Sequence, residues 1–537
     1  MRPGREGLLV AVLTAAALLP FADKAFHIDD PLFLKAAEQI QSKPLDFYGF
    51  NVNWYGIEQP MSMVTKNPPL ASYFLAVAAA VAGWSEIALH TAFLLPAVAA
   101  ALGTWTLARR LTARPAVAAL AAVATPAFLV SSTNLMCDTM LVAFWVWAVE
   151  RWMRGIETRR AGTLILAGAL MAAAALTKYF GIALLPLLLV YGLARTRRPG
   201  VWALALLIPV AALVLYQVWT KDAYGRGLLA DAAAYARSVR PHGGSPPHWK
   251  FFVGLSFTGG CLASAAFLAP WLWSGPALAV GGLLCVAATA LLSTIQATRH
   301  WPPELTVQLV VFATAGAAVL ALGLLDLVRF RDANALLLFL WIAGTFVFAV
   351  FFNWSTNVRS LLPAAPVVGL LVARRVEARA PAARLILAPL ALAALLALGV
   401  ARADAAHAGT ARVAASRIVA DGGSGTLWFE GHWGFQRYME RAGARPLDVR
   451  SHVRPGDRIA VPANNTNLLS LPRDAVTARN EILLPITGLL GTMSSELGAG
   501  FYVDSWGPLP FAFGRVPPER YVLLEAVRDI GPGQIGR

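Results

Sequence analysis

Residues 7–33 read GLLVAVLTAAALLPFADKAFHIDDPLF, an apolar run over 7–21 that gives way within a few residues to the adjacent acids Asp29 and Asp30. Apolar runs recur along the whole 537-residue chain, of which 57% is apolar or aromatic and 14% charged, with a mean hydropathy of +0.59. Soluble domains carry about 25% charged residues, so this composition excludes a large water-soluble enzyme and predicts a polytopic membrane protein. Arg2 and Arg5 precede the first run and no small-x-small cleavage site precedes Asp23, so 7–21 reads as a retained first span. The formal charge of +15 comes from 45 Lys and Arg against 30 Asp and Glu. Those basic residues cluster between apolar runs, which is a topology signal, and no nucleic-acid partner is expected. Cys137, Cys261 and Cys285 lack CxxC spacing and read as small core residues, not as a disulfide framework or a zinc site.

With Arg2 and Arg5 in the cytoplasm, residues 22–66 emerge outside. The next run, 70–83, is about 21 Å long as a helix, short of the roughly 20 residues that a 30 Å hydrocarbon core needs. Reading it as interfacial extends the first external loop over 22–86 and keeps Arg109, Arg110 and Arg114 in the cytoplasm. Crossings then alternate at 87–108, 115–133, 139–153, 161–177, 180–194, 201–219, 251–273, 277–293, 305–328, 334–352, 360–373 and 385–401. These make about 13 spans, with the N-terminus cytoplasmic and a second long external loop at 220–250. The membrane domain covers 1–401. Beyond it charges and glycines rise, and TLWFEGHW (426–433), RIAVPAN (458–464) and RYVLLEAV (520–527) alternate like strands. The expected fold is an all-α polytopic domain with a small extracytoplasmic α/β domain at 402–537, large enough to bury its own core.

The acidic pair lies in FHIDDPLFLKAAEQI (26–40). Neighbouring carboxylates raise one another's pKa and can divide the roles of general base and orienting group. The plainer reading is a helix cap, since Asp30 before Pro31 suits a helix start. In TKNPPLASYFLAV (65–77), Lys66 and Asn67 sit at a proline bend where a cation and an amide can hold a phosphate, or where a lysine simply snorkels. Asp138 in SSTNLMCDTM and Lys178 in AALTKYFGIALLP fall at the outer ends of spans, and Arg359 in FFNWSTNVRSLLPAAP at an outer turn. Ionisable groups at membrane depth default to function, and a guanidinium suits phosphate. Asp29, Lys66, Asp138, Lys178 and Arg359 come from distant segments yet share one topological face. An acid among several cations suggests transfer from a phosphate. His242 and His248, six residues apart in a loop that can serve as a lid, make a weak metal signal, and no metal is expected. Trp428, His432, Trp433, Phe435 and Tyr438 suit either carbohydrate stacking or, more ordinarily, core packing.

Taken together, these residues resemble the GT-C class of membrane glycosyltransferases, in particular bacterial relatives of protein O-mannosyltransferases and of the lipid A aminoarabinose transferase. The likeness rests on Asp29-Asp30 where the family usually has Asp-Glu, Pro-Pro-Leu at 68–70, Leu-Thr-Lys at 176–178, and Arg359 with LLPAAP. GHWGFQRYMERAG (431–443) is similar to a recurring feature of bacterial outer domains. Asn67 departs from the histidine that commonly precedes Pro-Pro. The resemblance implies inverting transfer of a sugar from a polyprenyl-phosphate donor to an envelope acceptor, whether protein, lipid or glycan, at the outer face of the inner membrane. Asp29, with Asp30 beside it, would be catalytic; Lys178, Arg359 and, third, Lys66 would hold the donor phosphate, with Asn67 and Asp138 in support. The lipid-linked sugar is then a substrate, and no cofactor is implied. The rival reading is a transporter or flippase of lipid-linked sugars, which usually shows inverted repeats and broken midplane helices. A non-enzymatic scaffold that binds envelope glycans would leave the acidic pair without a task.

Overall fold

In lipid every backbone N–H and C=O must bond within its own segment, so apolar runs become helices. The computed structural model describes residues 3–239, 246–295, 298 and 301–536 and is mostly helical. Among the described residues eight helices are long and apolar enough to cross a bilayer: Gly4–Phe21, Glu86–Ala108, Tyr179–Thr196, Val201–Tyr224, Gly275–Thr294, Pro303–Phe330, Ala333–Phe352 and Arg384–Ala420. Pro115–Val123 and Pro126–Ser132, bent by 65°, make a ninth if taken as one. The expected count of about 13 is thus reached only in part. Ala161–Thr177, Pro247–Cys261 and Ala364–Arg379 are helical at 17, 15 and 16 residues and fall short in length. Asp138–Thr158 has 21 residues but carries acids and arginines. It tolerates them because protein encloses it: Glu150 is 2% exposed and lies 3.1 Å from Arg151 and 3.7 Å from Arg110.

Leu70–Ala82, with 13 residues, packs against the helix Asp30–Ser42 and is too short to span. By contrast Ala383–Ala420 has 38 residues, about 57 Å at 1.5 Å per residue, and runs from the helical bundle into the C-terminal domain. The boundary expected between 401 and 402 lies within it. The C-terminal domain is built on a five-stranded sheet in the order Arg445–Pro446, Leu427–Phe429, Arg458–Pro462, Glu519–Ala526, Val476–Leu484. The first three strands are parallel and the remaining pairings antiparallel. Phe429, Phe435, Met439 and Leu523 close a core against Ile418 of the long helix.

The helix Trp433–Arg441 ties this domain to the first loop. A Cβ on Gly434 would lie 1.8 Å from the Phe26 carbonyl oxygen, so only glycine permits the approach. The Tyr438 hydroxyl accepts from Phe26 N and donates to Glu86, both at 2.9 Å. Arg437 meets Glu38 at 2.5 Å and Lys35 meets Glu440 at 2.6 Å. Beneath this contact Lys24 is buried, its Nζ 2.6 Å from both Asp404 Oδ2 and Asn134 Oδ1. Asp404 also accepts from Tyr502 at 2.8 Å and Thr492 at 3.1 Å. One buried ion pair thereby joins the first loop, the 130s turn, the long helix and the C-terminal domain.

Removing one partner of a buried pair leaves an uncompensated charge and costs about 3–5 kcal/mol. Asp404→Leu is therefore expected to lower the melting temperature of the purified protein in detergent sharply, and Lys24→Met/Asp404→Leu to recover part of the loss. A double variant no more stable than the single one contradicts this.

Candidate functional site

The side chains at which several helices break converge on a cavity of about 640 Å³. Asp29, Lys66, Asn67, Asp138, Lys178 and Arg359 all line it; Asp30 does not. Asp29 is the N-cap of Asp30–Ser42, but its side chain makes no capping bond. Its Oδ2 instead lies 2.9 Å from Arg359 Nη1. Asp30, expected beside Asp29 as a catalytic group, is fully buried and accepts from the backbone N–H groups of His27 and Leu135, each at 2.9 Å. It fastens the loop that presents Asp29.

Arg359 sits in the short helix Val358–Leu361, whose turn is wired by two asparagines: Asn357 accepts from Ser360 N at 2.9 Å, and Asn353 donates to Ser360 Oγ at 2.9 Å. Its guanidinium lies 5.7 Å from the Tyr502 ring centroid, and its buried Nε has no partner among the described residues. Burial works against the charge, but Asp29 and Asp138 outweigh it and hold the group firmly protonated.

Lys178 ends the helix Ala161–Thr177 in extended backbone, and the chain then turns back so tightly that a Cβ on Gly181 would lie 2.4 Å from Ala174 C. Its Nζ is 2.6 Å from Asp138 Oδ1. Asp138 stands in the first turn of Asp138–Thr158, where the helix dipole favours an acid; its Oδ2 is buried without a partner among the described residues. Lys66 is held 2.6 Å from Asp231 and 2.9 Å from the Met63 carbonyl. Asp231, which sequence reasoning missed, lies on the helix Leu228–Val239 that flanks the cavity, and Arg226 shares it at 3.0 Å. The Asn67 carbonyl accepts from Tyr48 at 2.8 Å.

Of the five aromatic candidates in the C-terminal domain, His432 and Trp433 line the cavity. The other three do not. Trp428 donates to Asp457 at 3.1 Å, Phe435 is in the sheet core, and Tyr438 bonds Phe26 and Glu86. Tyr502 and Trp506 line the cavity as well, and only proximity in the fold reveals them. Among the described residues no group of three or more His, Cys, Asp or Glu is placed to hold a metal ion. His248 lies in the helix Pro247–Cys261, and His242 is outside the described residues.

Three cations and two carboxylates line the cavity, and Asp231 behind Lys66 supplies a third carboxylate. Each cation rests on an acid: Arg359 on Asp29, Lys178 on Asp138, Lys66 on Asp231. Such a set can take up an anion such as a phosphodiester when a cation exchanges its carboxylate partner for phosphate oxygens.

Residues 66–220 match the family model described as dolichyl-phosphate-mannose-protein mannosyltransferase. Among solved structures the chain is similar to ArnT from Cupriavidus metallidurans bound to undecaprenyl phosphate, at 17% identity, over 85% of this chain and 93% of that one, with a TM-score of 0.43. It is similar also to ArnT from the same organism in the apo state, at 17% identity over the same shares, with a TM-score of 0.41. No curated protein matches the sequence.

Burial pushes the Asp30 carboxyl up to about 7, against the opposing pull of its N–H donors and Lys24. A carboxyl whose pKa is higher folded than unfolded holds an extra proton in the native state between the two values, so stability falls as pH rises through that interval. Asp30→Asn cannot titrate. Its deficit in melting temperature relative to wild type is expected to narrow from about pH 5 to about pH 8; a deficit that stays constant or widens contradicts the assignment.

Proposed function

We propose that this multi-pass membrane protein transfers a sugar, with inversion, from a polyprenyl-phosphate donor to an acceptor hydroxyl on the extracytoplasmic side. The observation that carries the reading is the Asp29–Arg359 contact at 2.9 Å in a cavity shared with Lys178. The match of residues 66–220, which hold Lys66, Asn67, Asp138 and Lys178, to a mannosyltransferase family model supports it.

In the proposed step the acceptor oxygen bonds to the anomeric carbon as the bond from that carbon to the phosphate oxygen breaks. The acceptor proton passes to Asp29 and the bonding pair leaves on the prenyl phosphate. The Asp29 carboxylate, whose Oδ2 meets Arg359, is the proton acceptor. Arg359 and Lys178 bind the phosphate and stabilise the charge that develops on it; Asp138 orients Lys178. Lys66 joins only by releasing Asp231, and Asn67 offers an amide to the same head group. Phosphate is already a good leaving group, so the chemistry requires no metal. Asp30 acts as a positioning residue.

The proposed orientation puts the N-terminus and the arginine clusters in the cytoplasm, in keeping with the charge rule. Helical geometry supports it: Asp138 and Arg154 stand at opposite ends of one helix of 21 residues, so if the cavity faces outward that cluster faces inward. On this reading residues 1–401, with external loops at 22–86 and 220–250, form the transferase domain of about 13 spans, and residues 402–537 lie outside. The protein belongs in the inner membrane and acts on a protein, lipid or glycan of the envelope.

A transporter of lipid-linked sugars would need the cations but not the base. With purified protein, radiolabelled prenyl-phosphate sugars and envelope extract, Asp29→Asn is expected to lower transfer by about 10²- to 10⁴-fold while still binding undecaprenyl phosphate. Arg359→Ala is expected to weaken that binding about tenfold or more. Wild-type transfer by Asp29→Asn would overturn the catalytic role, and a wild type that binds undecaprenyl phosphate but transfers no sugar would leave the transporter reading in its place.

A further inference from the structure

The wall that the C-terminal domain contributes to the cavity holds a set of groups for which phosphate transfer has no use. Trp54 from the first loop, His432, Trp433 and Trp506 form a chain of rings, with centroids 4.5 Å apart for Trp54–His432, 5.3 Å for His432–Trp433 and 5.6 Å for Trp433–Trp506. Trp433 and Trp506 are half-buried, leaving part of each ring open to the cavity.

Three consecutive residues fix this arrangement. Gly434 is pressed onto the Phe26 carbonyl, where no Cβ fits. Trp433 is held at φ +64, a left-handed conformation that a bulky side chain rarely adopts and that clusters at ligand sites. His432 is 4% exposed; its Nε2 lies 3.1 Å from Thr466 Oγ1, and its Nδ1 is buried without a partner among the described residues. A buried polar atom left unpaired is costly unless a ligand completes it. Burial lowers the His432 pKa to about 4, so the imidazole is neutral at physiological pH. Of the charged groups around the cavity, Asp29 is the one whose field reaches it. His432 and the proposed base Asp29 line the same cavity. The other polar residues of this wall, Thr466, Asn467 and Ser505, are uncharged.

Flat indole faces bounded by neutral hydrogen-bonding groups match a pyranose, whose C–H face stacks on aromatic rings while its rim of hydroxyls pairs with imidazole, amide and hydroxyl. An anionic head group finds no cation on this wall, and an isolated serine or threonine hydroxyl has no need of paired indoles.

We infer that His432, Trp433 and Trp506 form an acceptor subsite for a saccharide, free or lipid-borne: its ring stacks on the two indoles and one hydroxyl hydrogen-bonds His432 Nδ1 beside Asp29. This rests on the glycosyltransferase reading, and deepens it by naming the acceptor class. His432 and the indoles are specificity-determining residues, distinct from the phosphate-binding cations.

Saturation-transfer NMR on the purified protein in nanodiscs tests it without the donor. The probes are methyl pyranosides, an oligosaccharide released from the envelope, and a serine/threonine-rich peptide. Saturation of pyranoside C–H protons is expected for wild type and for Arg359→Ala, and its loss for Trp506→Ala. Trp506→Phe keeps an aromatic face but loses the bond from Trp506 Nε1 to Asn464, 2.8 Å, so it separates stacking from structure and is expected to retain contact. In transfer assays Trp506→Ala should raise the acceptor KM about tenfold with the donor KM unmoved, and His432→Asn should recover activity that His432→Ala loses. Contact with the peptide and not with saccharides, saturation that persists in Trp506→Ala, or a shift in the donor KM in place of the acceptor KM would each overturn the subsite. Wild type that contacts pyranosides but does not bind undecaprenyl phosphate would leave the subsite standing and sink the transferase reading.

Discussion

The contact between Asp29 and Arg359, 330 residues apart in sequence and 2.9 Å apart in space, is the constraint on which the site depends. A charge in a cavity walled by apolar helices is costly unless matched, and the fold matches each one. Arg359 lies on Asp29, Lys178 on Asp138 and Lys66 on Asp231. These pairs are what a donor phosphate has to open. In the proposed reaction its oxygens replace the carboxylates as partners of Arg359 and Lys178, and the carboxylate thus released on Asp29 is then a base without a counter-ion. On the proposed reading, binding of the donor and activation of the acceptor are one event.

The precision of that contact comes from beneath it. Asp30 anchors its loop to the backbone of Leu135, and Lys24 joins the same loop to Asp404 on the long helix and through it to Tyr502, whose ring lies under Arg359. From above, the Trp433–Arg441 helix presses onto Phe26 through Gly434. The C-terminal domain is therefore a wall of the cavity as well as a neighbour of it, so that the proposed acceptor subsite and phosphate site share one space.

Much of this was legible in the chain. Apolar runs give helices because lipid leaves the backbone no other partner, and TLWFEGHW, RIAVPAN and RYVLLEAV each contain a strand. Asp29, Asp138, Lys178 and Arg359 stand out because a charge at the end of an apolar run needs a reason to be there. Asp30 was harder. One residue of shift decides which of two adjacent acids caps the helix and which is buried, and no local pattern fixes that shift. The number of spans depends on helices such as Ala161–Thr177, whose 17 residues between Arg160 and Lys178 match the expected run but fall short of a full crossing. Lys24 with Asp404, separated by 380 residues, and Asp231 with Lys66 are partners that only the tertiary fold brings together.

A cryo-electron microscopy structure of the protein with undecaprenyl phosphate tests the central claim most directly. Phosphate density is expected between Lys178 and Arg359, with Arg359 turned from Asp29 and the Asp29 carboxylate open to the wall that bears His432. Phosphate bound elsewhere with the Asp29–Arg359 pair intact would contradict it.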